Sequence, residues 1–189
     1  MVTAEREDAL SNLLAAYEGE VNAQARYKAF AVKAEFEGLP RAASLFRAAA
    51  RAEEIHANNH ARVIRRMGGN ARAEIRPFSV RNTLQNLRSS LFGEQVEIDS
   101  LYPAFLERAQ ANWDMTAART FTWAMEAEKS HARLYSDAVT AFEKGQITHW
   151  TLADLVLYVC TVCGYMAKTQ EADNCPVCNF IWDRFEVIR

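Results

Sequence analysis

The chain has 189 residues, half of them hydrophobic and 24% charged, with a formal net charge of −2. That length allows one sizeable core and a small additional module, and the near-neutral balance supplies no field that would draw the chain to nucleic acid or an anionic membrane. The opening MVTAERED is acidic and has no apolar run, so no secretory signal is expected, and the apolar stretch at residues 152–160 is broken by Asp154 and too short to span a bilayer.

Residues 4–37 are rich in Ala, Glu, Arg and Leu, with Leu10, Leu13, Leu14, Tyr17 and Val21 at helical spacing. Thr3 suits the N-cap of this helix and Gly38 its stop. Pro40 suits the first turn of a second helix that runs to about Met67 and ends at Gly68-Gly69. Residues 68–79 form the longest connection in the front part. A third helix is expected from about Val80 to Gln110, kinked at Pro103 because proline removes one ladder bond. After a break near Asn112, a fourth runs to about Gly145. Short links within each pair and a long link between pairs predict a mainly α protein built on the ferritin-like variant of the four-helix bundle. From Gln146 helical periodicity gives way to aromatic and β-branched residues. The expected division is residues 1–145 as the bundle, 146–156 as a linker and 157–189 as a module too short to hold a core without a staple.

Two stretches of the bundle match each other. Residues 42–57 (AASLFRAAARAEEIHA) and 117–132 (AARTFTWAMEAEKSHA) are identical at 8 of 16 positions, and each carries Glu-x-x-His: Glu53 with His56, Glu128 with His131. Each also has a Gly-Glu pair upstream, Gly19-Glu20 and Gly93-Glu94. Positions i and i+3 lie about 60° apart on a helix, so each Glu and His share a face. Four carboxylates and two imidazoles on four helices suit a two-metal cage: carboxylate oxygens bridge cations and imidazole suits iron. Without cations, carboxylates facing inward would repel one another and carry a heavy burial cost. Glu97, three residues after Glu94, is a further candidate ligand whose counterpart in the first half is Ala23. An unmatched carboxylate at one metal could move on and off it. Tyr27 lies seven residues after Glu20, on nearly the same face, while Tyr102 falls about 80° from Glu94 on an ideal helix; either phenol could donate to a ligand carboxylate or carry a proton. His60, one turn beyond His56, has no duplicate and is expected at the outer surface or behind the ligands.

All four cysteines lie in the tail, as Cys160-Thr-Val-Cys163 and Cys175-Pro-Val-Cys178. Confinement to one segment argues against a disulfide framework and for a metal site in a reducing, cytoplasmic setting. Four thiolates so spaced bind one tetrahedral ion, iron or zinc. Tyr158, Tyr165, Trp182 and Phe185 would surround it.

These features together resemble the rubrerythrin family along essentially the whole chain: an N-terminal ferritin-like di-iron domain and a C-terminal rubredoxin-like domain. The resemblance rests on the two Gly-Glu pairs, Glu97, the two Glu-x-x-His motifs and the Cys-Thr-Val-Cys-Gly-Tyr and Cys-Pro-Val-Cys knuckles. It implies that Glu20, Glu53, His56, Glu94, Glu97, Glu128 and His131 ligate two irons, with Glu53 and Glu128 bridging and with Glu97 and His56 exchanging at one iron as the pair changes redox state. Tyr27 and Tyr102 would sit beside the cage. Cys160, Cys163, Cys175 and Cys178 would hold a third iron, with zinc a possible substitute. The implied activity is reduction of hydrogen peroxide to water in oxidative-stress defence. Electrons would reach the tail from a separate NAD(P)H-dependent reductase or a rubredoxin, since the chain has no nucleotide-binding glycine motif. The resemblance also implies a head-to-tail homodimer in which one chain's tail serves its partner's cage. One rival is a ferroxidase or iron-storage protein, against which the fused redox module and the unmatched Glu97 both count. Another is a zinc-tailed scaffold or redox sensor.

Overall fold

A computed structural model describes residues 4–151 and 153–189. Thr3, the expected first N-cap, and Leu152 lie outside the described residues. Five helices make the front part: α1 (Ala4–Phe36), α2 (Pro40–Arg66), α3 (Thr83–Val96), α4 (Tyr102–Ala111) and α5 (Met115–Glu143). α1 pairs with α2, and α3 with α4 pairs with α5. Residues 67–82 cross between the pairs, which is the ferritin-like arrangement expected from the link lengths.

The helix boundaries follow local chemistry. α1 gives way at Gly38, whose φ of 71° suits a residue without Cβ, and α2 begins directly at Pro40. The third helix starts at Thr83 rather than Val80 because the Asn82 side chain accepts a bond from the Gln85 amide and fixes the cap. Asp114 caps α5 in the same way through the Ala117 amide; such caps contribute about 1 kcal/mol each.

The expected kink takes a different form. α3 and α4 are joined by a π-helical turn, Glu97–Leu101, that ends just before Tyr102-Pro103. A π turn lets one additional residue into a helix. The sequence carries its trace: the two halves are offset by 74 residues at their Gly-Glu pairs but by 75 at their Glu-x-x-His motifs. Once the added residue is counted, Tyr102 becomes the counterpart of Tyr27, and the 80° discrepancy disappears.

Two apolar clusters fill the bundle. One surrounds Phe30, Phe46, Leu87 and Tyr135; the other surrounds Leu13, Ile64, Phe105 and Phe121. Along α1, α2 and α5 the carboxylates and histidines fall between residues of the two clusters, so the polar cage sits in mid-bundle. The buried helix faces beside it are rich in alanine, including Ala49, Ala52, Ala124 and Ala127, which leaves room for the longer polar side chains.

After a 3-10 turn at Ile147–Thr151 the tail forms a three-stranded antiparallel sheet of β1 (Leu157–Cys160), β2 (Met166–Ala167) and β3 (Phe185–Ile188), in the order β2-β1-β3. Tyr165, Trp182 and Phe185 pack with the cysteines, and Tyr158 packs on Trp182. No helix among the described residues is long and apolar enough to cross a membrane.

Candidate metal centres

Glu20, Glu53, His56, Glu94, Glu128 and His131 converge, and none is more than 1% exposed. They form two overlapping groups: Glu20, Glu53, His56 and Glu128; and Glu53, Glu94, Glu128 and His131. Glu53 and Glu128 belong to both, and the distances show why. Glu128 places Oε1 2.8 Å from His56 Nδ1 and Oε2 2.6 Å from His131 Nδ1. Glu53 places Oε2 3.0 Å from His56 Nδ1 and Oε1 3.8 Å from His131 Nδ1. Each of these carboxylates therefore offers one oxygen to each half, while Glu20 and Glu94 each belong to a single group.

The cage fits metal on its own chemistry. Eight polar atoms from these six residues are buried without a hydrogen bond among the described residues, the two Nδ1 atoms and both oxygens of Glu53 and Glu128 among them. Buried polar groups are normally satisfied, and a cluster of orphans aimed at common points is what two cations would satisfy. The electrostatics agree. Burial, with Glu128 next, pushes Glu53 and Glu94 well above the usual carboxylate range. Burial also opposes ionisation of Glu128, but His131 and His56 outweigh it and hold that carboxyl well below. Burial pulls His56 down, yet the charges of Glu128 and Glu20 lift it to about 9. Divalent cations would replace these protons as the compensating charge.

The tyrosines hold the carboxylates that belong to one group. Tyr27 donates to Glu94 Oε1 at 2.5 Å, and Tyr102 donates to Glu20 Oε1. Each phenol thus crosses to the other half's glutamate. His60 is not at the outer surface: it is fully buried, 3.2 Å through Nε2 from the Tyr102 hydroxyl and 3.1 Å through Nδ1 from Thr120 Oγ1. Its counterpart is Tyr135, a buried residue that sequence reading passed over. His60 and Tyr135 each follow a cage histidine by four residues, about 40° round the helix, and that spacing was the available signal.

Glu97 stands apart. It opens the π turn, is half-buried and joins neither group. Burial, then the charges of Glu20 and Glu128, push its carboxyl well up, with Arg26 opposing. It lines a cavity of about 350 Å³ that opens between α1 and the crossover, with Gly19, Asn22, Arg26 and Phe78 around it. Asn22 holds the crossover there, donating to the Glu74 carbonyl at 2.9 Å and accepting from the Arg76 amide at 2.8 Å.

The four cysteines also gather, with Sγ separations of 3.6 Å for Cys160–Cys178 and 3.5 Å for Cys163–Cys175 and no disulfide. A tetrahedral site with bonds of about 2.3 Å has sulfur–sulfur edges of about 3.8 Å, so the knuckles fit one ion.

The two centres meet through the backbone. Three consecutive carbonyls of the first knuckle are bonded by bundle side chains: Val162 by Asn59 Nδ2 at 2.8 Å, Cys163 by His56 Nε2 at 2.9 Å and Gly164 by His131 Nε2 at 3.0 Å. A carbonyl only accepts, so both imidazoles carry a proton on Nε2 and turn Nδ1 toward the cage as the atom a cation would take. Ser130 Oγ accepts from the Met166 amide and anchors β2. Gly164 has a φ of 82°, and a Cβ there would lie 2.3 Å from His56 Nε2, so the close approach requires glycine. The tail therefore seats on the cage of its own chain. The resemblance implied a tail serving a partner's cage, and the single chain already makes that contact without exchange.

A ferritin-like bundle with doubly shared carboxylates at mid-height, fused to a four-cysteine knuckle, defines a di-iron protein of the ferritin-like class with a rubredoxin-like module. The rubrerythrin model matches residues 11–139, and that of the rubrerythrin rubredoxin-like domain matches residues 158–186. The chain belongs to the rubrerythrin family. It is 34% identical to rubrerythrin-2 of Clostridium acetobutylicum over 92% of this chain and 93% of that one. It is 35% identical to nigerythrin of Nitratidesulfovibrio vulgaris over 89% of this chain and 81% of that one. A structure of nigerythrin in its fully reduced, all-ferrous state superposes with a TM-score of 0.84 at 34% identity, covering 95% of this chain and 86% of that one.

Proposed function

We propose that this protein is a non-haem di-iron peroxidase that reduces hydrogen peroxide to water, fed with electrons through the tetrathiolate iron of its tail. The observation that carries the reading is the hydrogen bond from His56 Nε2 to the Cys163 carbonyl. It joins a ligand of one centre to a ligand of the other by a few covalent bonds and one hydrogen bond, which storage of iron does not need. We also retain the division at residues 1–145, 146–156 and 157–189.

Peroxide reduction consumes two electrons and two protons and yields two waters. Bound iron supplies the electrons and the Lewis acidity that polarises the oxygens. The chain supplies the rest. Glu53 and Glu128 would be shared by two cations, with Glu20 and Glu94, steadied by Tyr102 and Tyr27, as ligands of one each. Cys160, Cys163, Cys175 and Cys178 would hold the third ion. Glu97, in the wall of the cavity, would be the seventh ligand. Burial, then the charges of Glu20 and Glu128, raise its carboxyl, and Glu20 belongs to the His56 group alone, so that is the position where Glu97 would take the place of His56 in the ligand set. Its carboxyl is also placed to pass protons to the departing oxygens, with Tyr27 and Tyr102 as further donors. The cavity beside Glu97 admits a molecule as small as peroxide, while the apolar clusters above and below keep bulk water from the ligands.

The electron source is a separate NAD(P)H-dependent reductase or a rubredoxin, acting in the reducing cytoplasm that four free thiols favour. Two chains exchanging tails would form the same seam between subunits, since a swapped element repeats its own contacts, and a head-to-tail homodimer follows that pattern. The test is iron content measured together with NADH-coupled peroxide consumption. Two bundle irons and one tail iron per chain with peroxide-dependent NADH oxidation support the reading. Many irons retained per chain without peroxide turnover would replace it with iron storage.

A further inference from the structure

The surface beside the seam is strongly cationic, although the chain as a whole is slightly acidic. α2 exposes Arg62, Arg65 and Arg66, and α5 exposes Arg119. Among the described residues none of these four has a carboxylate within ion-pair distance. Arg51 nearby is already engaged by Glu54 and Glu186, at 2.9 and 2.8 Å. Two depressions run together here and share Asn59 and Arg62. One, about 240 Å³, reaches Arg51, Arg65 and Thr161; the other, about 30 Å³, reaches Arg66, Arg119 and Trp123. Neither has an Asp or Glu in its wall. The patch is also continuous with the tail: Thr161 follows Cys160 directly, and Asn59 bonds the Val162 carbonyl of the same knuckle.

We propose that Arg62, Arg65, Arg66 and Arg119 form the docking surface for an acidic one-electron donor protein, seated at the α2–α5 edge over Thr161 and delivering to the tail iron. The proposal rests on the function above and names where the electrons enter. Charge complementarity selects the partner: uncompensated guanidinium groups attract carboxylate-rich faces and raise the rate of encounter. The shape argues for a protein rather than a free nucleotide. Pockets that enclose a cofactor hold roughly 300–1,000 Å³, and these depressions are smaller, spread across two helices and open. The transfer is simple: the donor's reduced iron loses one electron, and the ferric tail iron gains it and becomes ferrous, with no bond made and no proton required. Two such transfers supply one peroxide.

The experiment uses the full, iron-loaded chain and follows bleaching of the ferric tail in a stopped-flow instrument. The donor probe is a reduced rubredoxin of low isoelectric point, compared with an uncharged small-molecule reductant. For the wild type, the rate with the acidic donor should fall about 100-fold between 20 and 500 mM NaCl, within the range that steering gives. R62Q/R66Q/R119Q should lose about tenfold at low salt and show a shallower salt dependence, while the uncharged reductant bleaches both proteins alike. K28E, at an exposed position of α1, lowers the net charge by two away from the patch and should match the wild type. An unchanged salt slope in the triple variant would overturn the proposal. So would an equal loss with the uncharged reductant. Peroxide consumption driven by the uncharged reductant reports on the peroxidase reading separately, so the two can fail independently.

Discussion

The two halves of the bundle make the same cage differently. Glu20, Glu53 and His56 of the first half have direct counterparts in Glu94, Glu128 and His131, and even the tyrosines correspond once the π turn is counted. The halves part at two places. Glu97 stands where the first half has Ala23, and Tyr135 stands where the second half answers His60. Both differences leave the central carboxylates alone. Residues common to both halves suit a cage that would grip two ions equally, and unmatched ones beside it would distinguish one ion from the other. Glu97 and His60 both lie toward the Glu20 side, so that side is where change in the ligand set is expected.

Removing a shared ligand should have the largest effect. Glu128→Ala deprives both histidines of their nearest oxygen; peroxide turnover should fall at least ~100-fold, beyond the losses typical of outer-sphere changes, and at most one bundle iron should remain by elemental analysis. Red colour retained in the tail would show that the damage is confined to the cage. Gly164→Ala attacks the seam instead. The left-handed φ costs a side chain about 1–2 kcal/mol, and the methyl collides with His56. All three irons should bind while reduction of the cage by the tail slows by roughly 100-fold, the scale of a small misplacement. Rapid-mixing spectra that show the two centres reduced as fast as in wild type would break the claim that the seam carries the electrons.

The unmatched residues come next. Glu97→Ala should keep the tail iron and slow peroxide turnover about tenfold, less than the roughly 100-fold or more of a lone proton-transfer group because Tyr27 and Tyr102 remain as donors; wild-type turnover would mean the seventh carboxylate is idle. pH separates the metal-free cage from the loaded one. His56 is raised to about 9, and Glu53, Glu94 and Glu97 are raised well above 4.5. The folded chain then binds more protons than the unfolded one, and stability declines as pH rises. The His56 contribution is full below its unfolded value of about 6.5 and is lost as pH climbs through about 9. Chelated protein should melt several degrees lower at pH 9 than at pH 6, with ΔΔG of about 1 kcal/mol equal to about 2–4 °C at this size; an identical slope for iron-loaded protein would contradict it. The smallest effect belongs to His60→Leu. Tyr102 keeps its bond to Glu20, so turnover should drop less than about tenfold, while leaving Thr120 and Tyr102 without their partner costs roughly 1–3 kcal/mol in thermal unfolding.

Much of the cage was legible because its chemistry repeats within the chain. The duplicated Glu-x-x-His stretches, the Gly-Glu pairs and the paired cysteines are local patterns, and local spacing sets which face of a helix a residue occupies. The step from 74 to 75 in the offset between halves was legible too, and it marks the added residue that turns Tyr102 inward. Of the two places expected for His60, the one behind the ligands holds, through Tyr102 and Glu20, while its counterpart Tyr135 matches it in position and not in residue type. The seam lay beyond reach for a different reason. Asn59, Ser130, His56 and His131 meet carbonyls and amides 33 to 107 residues away, and main-chain acceptors leave no mark in the letters of a sequence.

That use of main-chain acceptors has a consequence for how such a module can diversify. The bundle recognises a run of three peptide oxygens, which every residue possesses. Apart from Gly164 and the side chains that pair with the bundle, such as Glu186 with Arg51 and Lys168 with Asp137, the tail's outward-facing amino acids are free to drift toward new electron suppliers without loosening its seat. One seam could thus serve many donors, each matched by changes on the tail's outer face and on the arginine edge of α2 and α5 beside it.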